Sequence, residues 1–196
     1  MMKTDSNDND LIHKAINGNK RAFNTIVNKY KQRVYYTAMK MVRNKDDAYD
    51  ITQDVFVKAY KNLGKFKGDS NLFTWLCRIA INTSLNYKGR DKFRGMVSVS
   101  DLSSVPVSPI RPDREFFEQE LFNRLEEAVN ELPQQQKTVF VMRYYNQMPH
   151  NQIAKVLGRS EGAVKANYFQ ALQKLKGAFS DLLPPNSNIS AVKNGV

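Results

Sequence analysis

The chain has 196 residues, 41% of them hydrophobic, and a formal net charge of +11. That length allows one large domain or two small ones, and that charge points to a polyanionic partner, either nucleic acid or an anionic membrane surface. Cys77 is the single cysteine, which excludes an internal disulfide and fits a reducing compartment. No apolar run approaches the roughly 18–20 residues of a membrane span, and "MMKTDSNDND" lacks the apolar core of a signal peptide. The expectation is a cytoplasmic protein without stable membrane insertion.

Nearly every segment reads as helix. Leu11, Ile12, Ala15 and Ile16 fall at helical spacing, and Gly18 is placed to end that helix. A long helix follows, with an apolar stripe of Phe23, Ile26, Val27, Tyr30, Val34, Ala38, Met41 and Val42, and Asn44 at its end. "KDDAYDITQDVFVKAYKNLG" restarts the pattern, with Asp46 and Asp47 near the positive helix N-terminus. Its stripe is Ala48, Ile51, Val55, Ala59 and Leu63, closed by Gly64. Residues 65–71 read as a loop. A fourth helix covers 72–88, with Leu72, Leu76, Ile79, Ala80 and Thr83 inward.

The composition then changes. Residues 95–113 are mostly serine, valine and proline, and Pro106, Pro109 and Pro112 each disfavour helix at the residue before them. This reads as an extended linker. Helical pattern resumes near residue 113, and Pro133 marks a helix start. A short helix covers 150–157, Gly158 makes a turn, and a last helix runs over 161–182. The expected fold class is all-α. Two small helical domains, residues 8–93 and 114–183, are joined by a flexible linker over 94–113, and 184–196 form a disordered tail.

The sharpest local signal is "NQIAKVLGRSEGAVKANYFQALQKL". Ala154 is small where two helices would cross, Gly158 frees the turn four residues later, and Val164 packs the second helix on the first. That spacing suits a helix-turn-helix. Ser160 can cap the second helix. Val164, Tyr168, Leu172 and Leu175 form its inward stripe, leaving Glu161, Gly162, Lys165, Ala166, Phe169 and Gln173 outward. Gly162, Ala163 and Ala166 are small enough for the helix to enter a major groove, where Phe169 beside Lys165 suits thymine methyls or sugars. The plainer alternative is a helical hairpin that touches no DNA.

With these elements in place, "AF…Y" at Ala22, Phe23 and Tyr30, "DAYDITQDVFVKAY" and "FKGDSNLFTWLCRIAINTSLNY" together resemble region 2 of sigma-70 superfamily factors. "LPQQQKTVFVMRYY" and the segment through residue 176 resemble their region 4. The short linker looks like the extracytoplasmic-function (ECF) subgroup. The resemblance implies a dissociable promoter-specificity subunit whose partners are core RNA polymerase, through its β′ clamp helices and β flap, promoter DNA, and an anti-sigma factor that responds to a stress or envelope signal. It implies no cofactor, no metal site and no catalytic residue.

Residue by residue, the resemblance places Asp47, Asp50, Gln53 and Asp54 on the polymerase. An acidic face in a chain of net charge +11 suits a basic or polar protein partner. The alternative is a solvated face with i,i+4 pairs such as Asp54 with Lys58. Lys65, Lys67, Asp69, Ser70 and Asn71 of the loop, with Arg78, Asn82, Asn86 and Lys88 of the next helix, are where family members hold the melted −10 strand. Basic tracks and polar pockets grip single strands in this way. Trp75 reads as a packing residue, with base contact the alternative. Ser160, Gly162, Ala163, Lys165, Ala166 and Phe169 are assigned to the −35 duplex. Many family members carry hydroxyl or arginine residues where this chain has Ala163, Ala166, Asn167 and Gln170.

Two other function classes fit the residues less well. A free-standing helix-turn-helix regulator needs neither the acidic helix nor a single-strand pocket. An enzyme such as a nuclease needs a catalytic set, and His13 and His150 are isolated, with no phosphate-binding glycine loop nearby.

Overall fold

Two asparagines start the second and third helices of the N-terminal half. Asn19 Oδ1 accepts the backbone N–H of Ala22 at 3.2 Å and opens α2, Lys20–Val42. Asn44 Oδ1 accepts that of Asp47 at 2.9 Å and opens α3, Lys45–Asn62. Such caps satisfy donors that the first helical turn leaves unpaired. Asn44 therefore begins the third helix; Arg43, left-handed at φ 67°, ends the second. The structure, a computed structural model, describes residues 6–94 and 112–181. The expected linker over 94–113 falls almost entirely outside them, and the expected tail over 184–196 wholly so.

Helix α1, Ser6–Ile16, precedes α2, and a 3-10 turn at Leu63–Lys65 follows α3. Helix α4, Leu72–Arg94, runs beyond the expected end at residue 88. The stripes meet as their spacing requires: Val34, Ala38, Met41, Ala48, Ile51, Val55, Leu72, Leu76 and Ala80 are all buried. Val27, Val42 and Ile79, read as inward, are only half-buried at the edges of the core. α2, α3 and α4 pack on one another, and α1 lies on α2.

The C-terminal half contains α5 (Pro112–Glu131), α6 (Gln134–Phe140), α7 (His150–Leu157) and α8 (Glu161–Ala178). Pro133 stands at the cap before α6, and its fixed φ preorganises the start. After α6 the chain widens into a π turn, Val141–Tyr145, which no periodicity announces. Gln147 then adopts a left-handed φ of 53°. In α8 the buried residues are Val164, Ala171 and Leu175, while Tyr168 and Leu172 are half-buried.

One buried cluster spans both halves, placing Val141, Met142, Met148 and Ile153 in the same core as Val34, Met41, Leu76 and Cys77. A second cluster, with Ala128, Val129, Leu132, Phe140, Ala171 and Leu175, belongs to the C-terminal half alone. Among the described residues there are α-helices and no strand, and no helix is long and apolar enough to cross a membrane.

Candidate nucleic-acid interface

The side chains of α3 and α4 enclose an open cleft of about 390 Å³. Lys58 and Asn62 line it from α3; Trp75, Arg78, Ile79, Asn82, Thr83 and Asn86 line it from α4; Lys65 lines it from the 3-10 turn. The spacing explains the wall: Arg78, Asn82 and Asn86 recur every fourth residue, one helical turn apart. Trp75 and Ile79 are the large apolar side chains of its lining. Phe66 of the preceding loop braces the indole, ring centroids 5.5 Å apart. Three cations, three amides and one indole line this single concavity, the side-chain types with which single-stranded nucleic acid is held by phosphate pairing and base stacking.

The structure thus brings Lys65, Arg78 and Asn82 together, and adds Lys58, Asn62 and Thr83, which the sequence alone does not assign. The 58–62 spacing on α3 was the available signal. Lys58, which the i,i+4 rule would pair with Asp54, reaches the other way and donates to Thr83 Oγ1 at 3.0 Å. Lys67 and Asp69 are exposed on the loop, which turns at Gly68 with φ 73°. Asn71 acts locally, its Oδ1 accepting the N–H of Thr74 at 2.7 Å at the start of α4. Ser70 Oγ donates to the Asn71 carbonyl at 3.3 Å. The side chain of Lys88 lies outside the described residues.

Away from the cleft, α3 shows a two-toned outer surface. Asp50, Gln53 and Asp54 are exposed and Asp47 partly so. Beside them on the same helix, Tyr49, Val57 and Tyr60 are 61%, 52% and 48% exposed. Tyr49, Val57 and Tyr60 are thus large apolar side chains left uncovered on this helix. The sequence hides them because apolar residues on a helix are read as inward by default. Tyr60 is steadied edge-on against Phe23, centroids 4.9 Å apart.

In the C-terminal half, α7 and α8 form a helix-turn-helix. Gly158 caps α7 in the left-handed region at φ 63°, where a β-carbon is disfavoured. Ser160 Oγ accepts the N–H of Ala163 at 3.2 Å and starts α8. Gly162, Lys165, Ala166 and Phe169 are exposed along one face, with Ala163 half-buried behind them. Phe169 is 61% exposed. Lys165 pairs with Glu161 at 2.8 Å; both are exposed, so the pair contributes little and is exchangeable. His150, first residue of α7, lies edge-on to Tyr168 with centroids 5.5 Å apart, and its Nε2 is buried without a partner. Burial, then the neighbouring Arg143 and Lys165, hold its pKa below the ordinary imidazole value.

Residues 26–94 match the family model Sigma-70 region 2, and residues 122–175 match Sigma-70, region 4. Across 93% of its length the chain is 30% identical to the RNA polymerase sigma-H factor of Pseudomonas aeruginosa and covers 98% of that protein. It is 28% identical to the ECF RNA polymerase sigma-E factor of Haemophilus influenzae, over 90% of this chain and 97% of that one. Among solved structures, CnrH in complex with the cytosolic domain of CnrY matches with a TM-score of 0.65 at 24% identity, over 90% of this chain and 99% of that one. The sigma factor RpoE in complex with the anti-sigma factor NepR from Bartonella quintana also gives 0.65, at 20% identity, over 81% and 96%. Both likenesses are of fold.

Proposed function

Starting from a chain that belongs to the sigma-70 family and to its ECF branch, we propose how its surfaces divide the work of starting transcription. As a family member the protein is a sigma factor: it directs transcription initiation by RNA polymerase and leaves the chemistry to that enzyme. The division has two promoter readers and one docking face. Helix α8, through Gly162, Lys165, Ala166 and Phe169, lies in the major groove of the −35 duplex. Ser160 and Ala163 fix its start. The α3–α4 cleft holds the melted −10 strand through Lys65, Arg78 and Asn82, with Lys58, Asn62, Thr83 and Asn86 beside them. Lys67, Asp69, Ser70, Asn71 and Lys88 extend that track. Asp47, Asp50, Gln53 and Asp54, with Tyr49, Val57 and Tyr60, form the face for core polymerase.

The observation that carries this reading is the pairing, on one chain, of a groove-sized helix face with a cationic, amide-lined cleft suited to single strands. A duplex-binding regulator needs only the first. The division into domains over 8–93 and 114–183, the cytoplasmic location, the release by an anti-sigma factor and the response to a stress or envelope signal are part of the same proposal. They follow the family pattern, and the anti-sigma partner follows the kind of complex in which the RpoE neighbour was solved.

Run-off transcription tests it. Core bacterial RNA polymerase is mixed with the protein and a pool of promoter fragments, and transcript starts are mapped. Discrete starts sharing motifs near −35 and −10 are the expected result. No promoter-specific starts, with sequence-specific duplex binding by the protein alone, would replace it with the regulator reading.

A further inference from the structure

Helix α6 packs against α8, and a pair of glutamines joins them. Gln136 Nε2 donates to Gln170 Oε1 at 2.9 Å. Gln136 is 9% exposed, and its own Oε1 is buried without a partner. A buried amide left half-satisfied costs stability, and a leucine at this place would strand no polar atom. Folding alone therefore does not account for Gln136. What it does is hold the amide of Gln170, which is exposed. The Oε1 of Gln170 is engaged on the α6 side, while its Nε2 donates to no described residue.

Gln170 stands next to Phe169 and one helical turn beyond Ala166 on the outward side of α8. From Gly162 to Gln170 the helix rises about 12 Å at about 1.5 Å per residue, and the major groove is about that wide. The rest of this face has few groups that tell a base donor from a base acceptor. Gly162, Ala163, Ala166 and Phe169 carry no hydrogen-bonding side chain. Lys165 is a flexible point charge paired with Glu161. Asn167 Nδ2 donates back to the Ala163 carbonyl at 2.8 Å. Gln170 is the amide whose orientation a second helix fixes.

We propose that Gln170 reads a base of the −35 duplex and that Gln136 sets which base, by holding the amide so that Nε2, and not Oε1, meets the groove. The inference rests on the promoter reading above. A free glutamine pairs with adenine in the major groove, Nε2 donating to N7 and Oε1 accepting from N6. With Oε1 engaged on the α6 side, that two-bond pairing is closed and a donor alone is presented. Guanine offers two acceptors in the groove, N7 and O6, whereas adenine sets an N6 donor beside its N7. Guanine is therefore favoured over adenine at the position that Gln170 faces. Gln136 acts only through Gln170 and is a positioning residue.

Core RNA polymerase and the full chain test this on a promoter library randomised across the −35 region, with the transcribed templates sequenced. At one position the unsubstituted protein should enrich guanine over adenine by about threefold or more. Gln170→Ala, an exposed change, should abolish that preference at that position alone. Gln136→Leu should keep or raise the thermal midpoint while cutting the same preference to about twofold or less. Gln136→Glu, whose carboxylate only accepts, should draw in Nε2 of Gln170 and turn Oε1 outward, moving the preference to the bases that present a donor, adenine and cytosine. Lower stability with an unchanged profile in Gln136→Leu would make Gln136 merely structural and overturns the proposal. A Gln170→Ala variant that weakens transcription evenly on all sequences also overturns it, since Nε2 then meets a phosphate. Adenine preferred by the unsubstituted protein overturns the assigned orientation. If the unsubstituted protein selects no base anywhere in the region, the promoter reading itself falls, and this inference with it.

Discussion

The Tyr30 hydroxyl donates to one oxygen of Asp8 at 2.5 Å, and Lys29 pairs with the other at 2.7 Å. Asp8 is 2% exposed, so α1 is fastened to α2 by a buried carboxylate with both oxygens engaged. Removing one member of such a set strands the others away from water. Asp8→Ala should lower stability by roughly 2–4 kcal/mol and Tyr30→Phe by about 1–2 kcal/mol, measured by urea unfolding. Burial, then the hydrogen bond to Asp8, raises the Tyr30 pKa from 10.0 to about 12. The folded state holds this proton more tightly, so the associated stability is complete below 10.0 and is lost as pH rises toward 12. In an alkaline titration followed by ultraviolet absorbance, Tyr30→Phe should remove a late-ionising component.

Local features are legible in the sequence and distant pairings are not. Ala154, Gly158 and Ser160 announce the helix-turn-helix because turn geometry and capping depend on neighbours a few residues away. The stripes through Val34 and Ile51 are legible for the same reason, since helical periodicity is local. Asn146 gives no such signal: its partners, Cys77 and Thr37, are 69 and 109 residues distant, and the π turn that aims it has no sequence period. Asn44 sits between two helices, and its side chain alone decides that it starts the second. Asn71 reads as a pocket residue in the sequence; that its Oδ1 also accepts the Thr74 N–H at the start of α4 depends on the position of one backbone N–H.

The outer face of α3 should tolerate change in the unbound protein and fail only against polymerase. Val57 is 52% exposed, so Val57→Asp removes no core packing. It places a charge where an apolar anchor is proposed, and core affinity should fall about tenfold or more, as at interface hot spots. Asp50→Lys should slow association and change its salt dependence. Binding of labelled core polymerase, with thermal melting as the control, separates the two. Unchanged affinity in both variants would remove α3 from the interface.

Trp75 is the only tryptophan, so the cleft reports its own occupancy. A single-stranded −10 oligonucleotide should quench its fluorescence, and a duplex of the same sequence should do so weakly. Arg78→Ala and Lys58→Ala should each weaken binding across sequences and flatten the slope of log K against log salt by about 0.7. Trp75→Phe keeps an aromatic ring beside Phe66 and should weaken binding less than Trp75→Ala, whose cost should include about 1–3 kcal/mol of lost stacking. Equal salt slopes for all variants would place the phosphates elsewhere.

Phe169 has no acceptor or donor on its side chain, so only apolar contact can make it selective. If it meets a thymine methyl in the −35 duplex, uracil in place of that thymine should weaken binding to the unsubstituted protein by about 1 kcal/mol. The same replacement should cost Phe169→Ala nothing further, since the methyl has already lost its partner. Additive losses would mean that Phe169 touches sugar or backbone instead.

His150 makes the helix-turn-helix sensitive to mild acid. Its ring is packed edge-on to Tyr168, with Nε2 buried, and Arg143 and Lys165 oppose a further positive charge. The folded pKa therefore lies below the ordinary 6.5, and the unfolded chain binds the proton first as pH falls. Stability from the neutral ring is complete above 6.5 and is lost as pH drops through the lower folded value. Thermal midpoints should decline between about pH 7.5 and pH 5.5, and His150→Gln should flatten that decline. Lysines and arginines stay charged throughout this range, so they add no slope of their own. An unaltered slope in His150→Gln would assign the acid sensitivity to another group.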